Sequence, residues 1–286
     1  MNALLSIAFH GLAFAMVLYL VSVGLSITLG LMGFVNLAHG VFAVTGGYIM
    51  LTLMSRFGVP FPLSLAVTCF VVAAGSVVIE RLLYRELYGG DELDQVLLSI
   101  GLVFMSVAIA KYLWGPLPQP LHPPSYLSGQ VFLGSRGFPT YRFFLIVSGA
   151  VVVTLLWLGL ERTRFGAMIR AAVDNRRMAQ SIGINTALLF TLTFALGSGL
   201  AALGGALGAD ILEIDPGYAL EQLIYFLIVV AVGGLGSIRG PFFAALLVGT
   251  ADTAFKYLQP ELGAFFIYAV TLALLLWRPQ GLFGRA

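Results

Sequence analysis

The sequence predicts an all-α protein that crosses a membrane several times. Of its 286 residues, 59% are hydrophobic and only 10% are charged, whereas about 25% of the residues in a soluble domain are charged. The apolar residues fall into runs close to the roughly 17–25 residues that a helix needs to cross the hydrocarbon. Glycine is abundant, with 34 residues, as expected of closely packed membrane helices. Residues 1–286 are therefore expected to form a single transmembrane domain with about eight or nine transmembrane or re-entrant helices.

The predicted spans are separated by polar segments. They are Phe9–Leu31, Leu37–Leu53, Pro62–Ile79, Gln95–Leu113, Phe143–Leu160, Ala187–Ala209, Gln222–Val232, Pro241–Tyr257 and Ala264–Trp277. The second and seventh are short enough to be re-entrant. In the sixth, Gly197, Ala201 and Gly205 recur every four residues, a spacing that lets two helix backbones approach closely. A charged loop is expected at 80–94, and the prolines of 114–140 favour an extended surface loop.

The distribution of basic residues predicts the orientation. Loops that carry excess Lys and Arg stay on the cytoplasmic side. With the N-terminus outside, ten of the 15 Lys and Arg residues fall in inner segments and five in outer ones.

The segment 161–185 is the longest polar and basic interruption of the apolar sequence. It holds five arginines against Glu161 and Asp174, so it is predicted to be a cytoplasmic loop. Its inner part, Phe165–Ile182, has the pattern of an amphipathic helix, because apolar residues recur at steps of three and four. Those residues are Phe165, Met168, Ile169, Ala172 and Ala179. The helix could lie in the membrane interface, form a solvated linker, or dock a cytosolic partner.

Two glycine-bounded segments resemble each other. They are GFVNLAHG (Gly33–Gly40) and GGLGSIRG (Gly233–Gly240). Glycine-rich interruptions at corresponding places in two halves are typical of discontinuous helices near a translocation path. The predicted helix breaks in the second segment are Gly233, Gly234, Gly236 and Gly240.

A few polar residues lie inside the apolar runs. Asp252, between Thr250 and Thr253, is the only acidic residue inside a predicted span, and a charge at the helix centre costs about 2.5–3.5 kcal/mol on insertion scales. It is therefore interpreted either as a residue lining or gating the path, or as a packing partner of another helix. Asn36 and His39 are further candidates, because the start of a half-helix offers free N–H groups to a carboxylate.

Several functions are disfavoured by the sequence. A phosphate-binding loop requires Gly-x-x-x-x-Gly-Lys-Ser/Thr, and neither Lys111, which follows Ala110, nor Lys256, which follows Phe255, fits. The three histidines are scattered and Cys69 is the single cysteine, so no metal site and no enzymatic activity are expected. The net charge of +2 does not favour nucleic-acid binding.

Four motifs resemble those of one family. R-x-G-x-x-x-R-A followed by Asn, Ala and GIN is similar to the coupling loop of ATP-binding-cassette (ABC) importer permeases, most closely those for branched-chain amino acids. The matching residues are Arg164, Gly166, Arg170, Ala171, Asn175, Ala179, Gly183, Ile184 and Asn185. Gly24–Tyr48 resembles the family's first signature, Gly233–Gly249 its second, and Trp277–Arg285 its C-terminus. Arg239 stands where the second signature often has proline.

The resemblance implies the permease subunit of an ATP-driven importer, with the ABC importer permease fold, in the bacterial inner membrane. Its expected partners are a second homologous permease, two ATP-binding subunits, an extracytoplasmic solute-binding protein and membrane lipid. ATP and Mg would bind to those subunits, and this chain would bind no cofactor. The solute would be a branched-chain or related amino acid, although the family also includes carriers of urea, amides and other small solutes.

The resemblance also implies roles for individual residues. The coupling residues would be Arg164, Gly166, Arg170, Ala171, Ala172, Asn175, Ala179 and Gly183. The candidate solute path comes from the polar residues inside the apolar runs together with two glycines of the first signature, and it comprises Asn36, His39, Gly40, Gly47, Thr250, Asp252 and Thr253. The alternative from another class is an ion-coupled secondary carrier or channel that acts alone, with Asp252 as its proton or cation site.

Overall fold

A computed structural model describes residues 2–33, 36–88, 90–133, 136–237 and 239–284. The elements in chain order are α1 (Asn2–Met32), α2 (His39–Ser55), α3 (Phe61–Ile79), α4 (Glu92–Trp114), β1 (Gln130–Leu133), β2 (Arg136–Pro139), α5 (Thr140–Arg162), α6 (Arg164–Asp174), α7 (Arg176–Ser181), α8 (Thr186–Gly208), α9 (Tyr218–Glu221), α10 (Leu223–Gly233), α11 (Arg239–Leu258) and α12 (Pro260–Trp277). After α3 the chain continues through a π-helical turn, Glu80–Tyr84, and a 3₁₀ turn, Arg85–Leu87.

Among the described residues, five helices are long and apolar enough to cross a membrane: α1, α3 with the turns that follow it, α4, α5 and α8. Shorter apolar helices occur in α2, in α9 together with α10, and in α12. The predicted class, an all-α polytopic membrane protein, is thereby confirmed.

Helix α1 is the centre of the bundle. Its apolar segment is almost entirely buried, and α5, α8, α10 and α11 all pack against it. A Cβ added to Gly24 would collide with the carbonyl of Gly197 on α8. The contact between α11 and α1 is similar: a Cβ added to Gly249 of α11 would lie 2.8 Å from the Cα of Ala15 on α1. Small residues therefore let the backbones of three helices come into direct contact.

Helix α8 also packs against α2 and α3. A Cβ on Gly205 would collide with the carbonyl of Ala43, and one on Gly46 with that of Ala202. The closely packed face predicted from the glycine spacing of the sixth span therefore contacts α1 at Gly197 and α2 at Gly205. By contrast, α3, α4 and α5 expose most of their apolar surface, which suits helices that face lipid.

Of three local predictions, the first and the last are wrong. The segment after Ile79 was expected to be a charged loop, but helical structure continues to Leu87; no Gly or Pro interrupts 80–88. The described residues of the proline-rich segment 115–139 contain no helix, as predicted, and the strands β1 and β2 within it pair antiparallel with Gln130 opposite Pro139. The first helix begins at Asn2 rather than at Phe9.

Candidate coupling and translocation sites

The end of α5 and the start of α6 form a sharp turn on the predicted inner face. Thr163 has an extended backbone, and its hydroxyl oxygen accepts the N–H of Gly166 at 3.3 Å, as an N-cap does. A Cβ on Gly166 would collide with the carbonyl of Leu160. The guanidinium of Arg170 donates a hydrogen bond to that same carbonyl. Two of the predicted coupling residues therefore fix α6 against the last turn of α5.

The apolar face of α6 is turned toward the bundle. Ile169 and Ala172 are buried, and Ala171 is half-buried. Arg164 is exposed. Met168, which also belongs to the predicted apolar face, is exposed.

The predicted single helix Phe165–Ile182 is wrong, because it is divided at Asn175. That residue has φ −155° and ψ 99°, and its side-chain oxygen accepts the N–H of Met178 at 3.0 Å. An Asn side chain that bonds to nearby backbone competes with helix continuation. The segment 161–185, predicted to be cytoplasmic, therefore contains two short helices, α6 and α7.

Helix α7 ends in a left-handed turn. Gly183 has φ +90°, and the N–H of Ile184 bonds to the carbonyl of Ala179 at 3.0 Å. This is the arrangement in which glycine commonly ends helices. Ala179 is buried, whereas Met178 and Ile182 are exposed by 62% and 70%. The next residues start α8, whose first turn is capped by Asn185.

The glycine-rich segment GGLGSIRG runs from the last residue of α10 to the first two residues of α11. Gly234 and Gly236 have φ of +96° and +72°. On α1, the hydroxyl of Ser26 donates to the carbonyl of Ser237 at 2.9 Å. The backbone carbonyl of Ser26 accepts the N–H of Gly236 at 3.3 Å. A Cβ on Gly240 would collide with the carbonyl of Gly233. Phe34 and Val35 of the corresponding segment GFVNLAHG lie outside the described residues, as does Ile238.

Arg239, which departs from the family pattern, connects the start of α11 with the end of α5. Its guanidinium forms an ion pair with Glu161 at the end of α5 and lies 6.0 Å from the ring centroid of Trp157. An exposed pair of this kind contributes about 0.2–1 kcal/mol. A cavity of about 490 Å³ lies between α6 and the glycine-rich segment, lined by Gly166, Arg170 and Ser237 among others. The predicted coupling segment and the predicted helix break are therefore neighbours.

The start of α2 is a buried polar site. The side-chain oxygen of Asn36 accepts the N–H of Ala38 at 3.0 Å and the hydroxyl of Tyr84 at 2.9 Å, while its Nδ2 has no partner among the described residues. The Nε2 of His39 hydrogen-bonds to the carbonyl of Val21 on α1 at 3.0 Å. Among the remaining path candidates, Gly40 faces the carbonyl of Ala219, and Gly47 faces the side chain of Ile214.

Asp252 belongs to a different group of side chains. It is 2% exposed, accepts the hydroxyl of Tyr225 at 3.0 Å, and forms an ion pair with Lys256 at 2.8 Å. Thr250 and Thr253 donate to carbonyls of their own helix. The path candidates thus divide into a group on α2 and a group on α11 with different neighbours. The bonds of Asp252 match the packing interpretation.

Glu80 is a functional candidate that the sequence reasoning missed. It is 1% exposed, and its two carboxylate oxygens accept the hydroxyls of Tyr88 at 2.7 Å and Thr191 at 2.9 Å. Burial and the neighbouring Glu80 raise the pKa of the Tyr88 hydroxyl, which keeps it protonated as a donor. The sequence feature that could have indicated this is the lack of Gly or Pro after Ile79. Helical structure can therefore continue through Glu80 and bury its side chain in the bundle.

Metal binding has no support in the part of the chain that the structure describes. No group of three or more His, Cys, Asp or Glu side chains is placed to hold an ion there.

One long buried helix, with further long apolar helices around it, defines a polytopic membrane protein. The family profile described as branched-chain amino acid transport system, permease component, matches residues 7–275, and the chain belongs to that family. It is similar to the high-affinity branched-chain amino acid transport system permease protein BraD of Pseudomonas aeruginosa, with 28% identity over 96% of this chain and 94% of the relative.

Two further relatives carry similar names. The high-affinity branched-chain amino acid transport system permease protein LivH of Escherichia coli is 26% identical over 97% of this chain and 94% of its own length. The probable branched-chain amino acid transport permease protein LivH of Methanocaldococcus jannaschii is 30% identical over 93% and 88%. No solved structure gives a significant match.

Proposed function

We propose that this chain is the non-catalytic translocation subunit of an ATP-driven importer for branched-chain amino acids in the bacterial inner membrane. Residues 1–286 act as one transmembrane domain. Supporting this proposal, the names of the full-length relatives are those of branched-chain amino acid permeases. The observation that carries the proposal is the α6–α7 segment, which is fixed to the bundle on one face and exposes apolar side chains on the other.

In the proposed mechanism, α6 and α7 receive movement from two cytoplasmic ATP-binding subunits. Met178 and Ile182, which are 62% and 70% exposed, would be covered by these subunits. Arg170 and Gly166 would pass the movement to α5, because they fix α6 to the Leu160 carbonyl. ATP and Mg would remain in the partner subunits.

A second route would lead from the same segment to α11. The Glu161–Arg239 ion pair joins the end of α5 to the start of α11, and α11 packs along α1. Movement of α5 would therefore reach the centre of the bundle. Arg239 would therefore connect the end of α5 to the start of α11 and transmit movement between them.

For the solute path we propose the region around the start of α2. Asn36 and His39 are buried and polar, and the Nδ2 of Asn36 has no hydrogen-bond partner within the described part of the chain. A buried donor without a partner costs about 1–3 kcal/mol, and a solute carboxylate would satisfy it. Gly40 and Gly47 would hold this part of α2 in position, because they let the backbone of Ala219 and the side chain of Ile214 pack directly on it. For Asp252, Thr250 and Thr253 we propose a packing role at the outer part of α11.

The proposed assembly contains a second homologous permease, two ATP-binding subunits and an extracytoplasmic solute-binding protein. The exposed apolar surfaces of α3, α4 and α5 leave room for lipid and for the second permease. The outer face includes the connection after α8, to which the proline-rich loop is fixed by a 2.8 Å bond between the N–H of Gln119 and the carbonyl of Ile214. This surface would receive the solute-binding protein.

The coupling proposal is tested at Gly183. A β-branched residue there must adopt φ near +90°, which costs about 1–2 kcal/mol, so Gly183→Val should distort the end of α7. We expect the assembled importer to keep hydrolysing ATP while leucine uptake per ATP falls by about tenfold, the factor that corresponds to about 1.4 kcal/mol. A bulky residue at the half-buried Ala171, as in Ala171→Trp, should act in the same direction.

The matched control is Gly159→Ala on α5. Gly159 has an ordinary helical backbone and open space around its Cα, so this change should leave coupling intact. Unaltered uptake per ATP in both Gly183→Val and Ala171→Trp would refute the coupling role. Uptake driven by a proton or sodium gradient without nucleotide would instead establish the carrier alternative.

A further inference from the structure

A cavity on the inner face, outside the coupling and path residues described above, is lined by basic side chains. Its volume is about 500 Å³, and it lies between the turns after α3, the helix α7 and the start of α8. Arg81 and Arg85 come from the first element and Arg176 from the second. None of the three forms a salt bridge within the described part of the chain.

The one acidic residue of the cavity is already partnered. Both oxygens of Glu80 accept hydroxyls, from Tyr88 and Thr191. The carboxylate is therefore held toward the bundle by neutral donors, and the three guanidinium groups exceed it by two positive charges. The residues that line the cavity therefore carry a net positive charge, and no salt bridge from the described residues neutralises it.

Two further features favour an anion there. The guanidinium carbon of Arg176 lies 4.6 Å from the ring centroid of Phe190, a contact that positions the group while its N–H donors stay free for another ligand. The first turn of the 23-residue helix α8, with Asn185 and Ala187, also lines the cavity. The N-terminus of a helix attracts negative charge through its free N–H groups and its dipole.

The surroundings of the cavity favour a lipid over a soluble anion. Leu188 lines the cavity and is 50% exposed, and Leu192, one turn further along α8, is 46% exposed. Val78 and Leu82, one turn apart before and within the π-helical turn, are exposed as well. These apolar strips run from the basic cavity toward the hydrocarbon, where acyl chains would lie.

We propose that this cavity binds the phosphate headgroup of an anionic phospholipid of the inner leaflet. Basic pockets between helices on the cytoplasmic side are suited to such headgroups. The lipid would connect the end of α3 with α7, so it would hold part of the cytoplasmic segment in place. The site requires only that the chain lies in a membrane, so it stands or falls independently of the transported solute.

The experiment measures lipid retention on the purified full chain by native mass spectrometry after exchange into phosphatidylglycerol or phosphatidylcholine. We expect retained phosphatidylglycerol to fall about fivefold for each of Arg81→Gln, Arg85→Gln and Arg176→Gln, in line with the attraction of one basic residue to an anionic surface. Phosphatidylcholine retention should not change. Arg177→Gln is the matched control, because Arg177 is the exposed neighbour on α7 and does not line the cavity.

Several results would overturn the proposal. Equal retention of the two lipids by the unaltered chain would do so, as would an equal loss in Arg177→Gln. Displacement of the lipid by millimolar glycerol 3-phosphate would assign the site to a soluble phosphate. Loss of co-purifying ATP-binding subunits in Arg176→Gln with lipid retention unchanged would assign the surface to a protein partner. Thermal unfolding of each variant distinguishes specific loss of lipid from misfolding.

Discussion

Two carboxylates are buried in this apolar bundle, and they are stabilised in different ways. Glu80, after α3, is 1% exposed and accepts two neutral hydroxyls, from Tyr88 and Thr191. Asp252, on α11, is 2% exposed and has an ammonium partner, Lys256, in addition to Tyr225.

The difference shows which acid is held by charge and which by hydrogen bonds. Lys256 is half-exposed and comes one turn after Asp252 on the same helix, so the ion pair is local and lies at the edge of the bundle. The partners of Glu80 come from a later turn and from α8, so that site connects elements distant in sequence. Asp252 therefore contributes mainly to the local stability of α11, and Glu80 to the packing of α3 against α8.

The largest effect is expected when Asp252 loses its counter-ion. Lys256→Met removes the ammonium and leaves a buried carboxylate with only the Tyr225 hydroxyl. Breaking a buried pair costs about 3–5 kcal/mol; because Lys256 is half-exposed, we expect about 2–3 kcal/mol of lost stability, measured by thermal unfolding in detergent. The double variant Lys256→Met/Asp252→Asn should recover most of this loss. A double variant as unstable as the single one would show that the charge of Asp252 is not the reason.

The second effect concerns Glu80. Glu80→Leu removes the acceptor of both hydroxyls and should cost about 1–3 kcal/mol. Glu80→Gln keeps one carbonyl acceptor and should cost roughly half as much in the same unfolding measurement. If the Leu variant were as stable as the Gln variant, the two hydrogen bonds would not hold α3 and α8 together.

The smallest effect compares the two tyrosine hydroxyls. Tyr88→Phe removes one of the two hydroxyl donors of Glu80 and should cost about 1 kcal/mol, the net contribution of a typical hydrogen bond. Tyr225→Phe leaves Asp252 with its ammonium partner, so its cost should be about 0.5 kcal/mol, near the lower limit for a hydrogen bond. A greater loss in Tyr225→Phe than in Tyr88→Phe would reverse the comparison.

The same two acids show how far the sequence predicts the structure. Asp252 was recognised because it interrupts an apolar run, and its partner is four residues later on the same helix, where an ion pair is favourable. Glu80 was assigned to a loop because charged residues follow it. Its burial depends on Tyr88 and Thr191, and the approach of Thr191 is a tertiary contact that hydropathy does not encode.

The cytoplasmic segment shows the same limit at the level of secondary structure. Its amphipathic pattern predicted helical structure on the inner face. The pattern does not show whether Asn175 continues that helix or caps a new one, as it does in the structure. Thr163, Asn175 and Asn185 each cap a helix with their side chain. These three capping residues can be identified in the sequence. The packing of α6 against Leu160 cannot, because it depends on the close approach of two backbones at Gly166.

The most direct measurement reconstitutes this chain with its ATP-binding subunits and a second permease in vesicles, with solute-binding protein and radiolabelled leucine outside. The account predicts leucine accumulation that requires ATP on the side of α6 and α7 and that is lost when the ATP-binding subunits are omitted. Accumulation by this chain alone, without nucleotide, would contradict it.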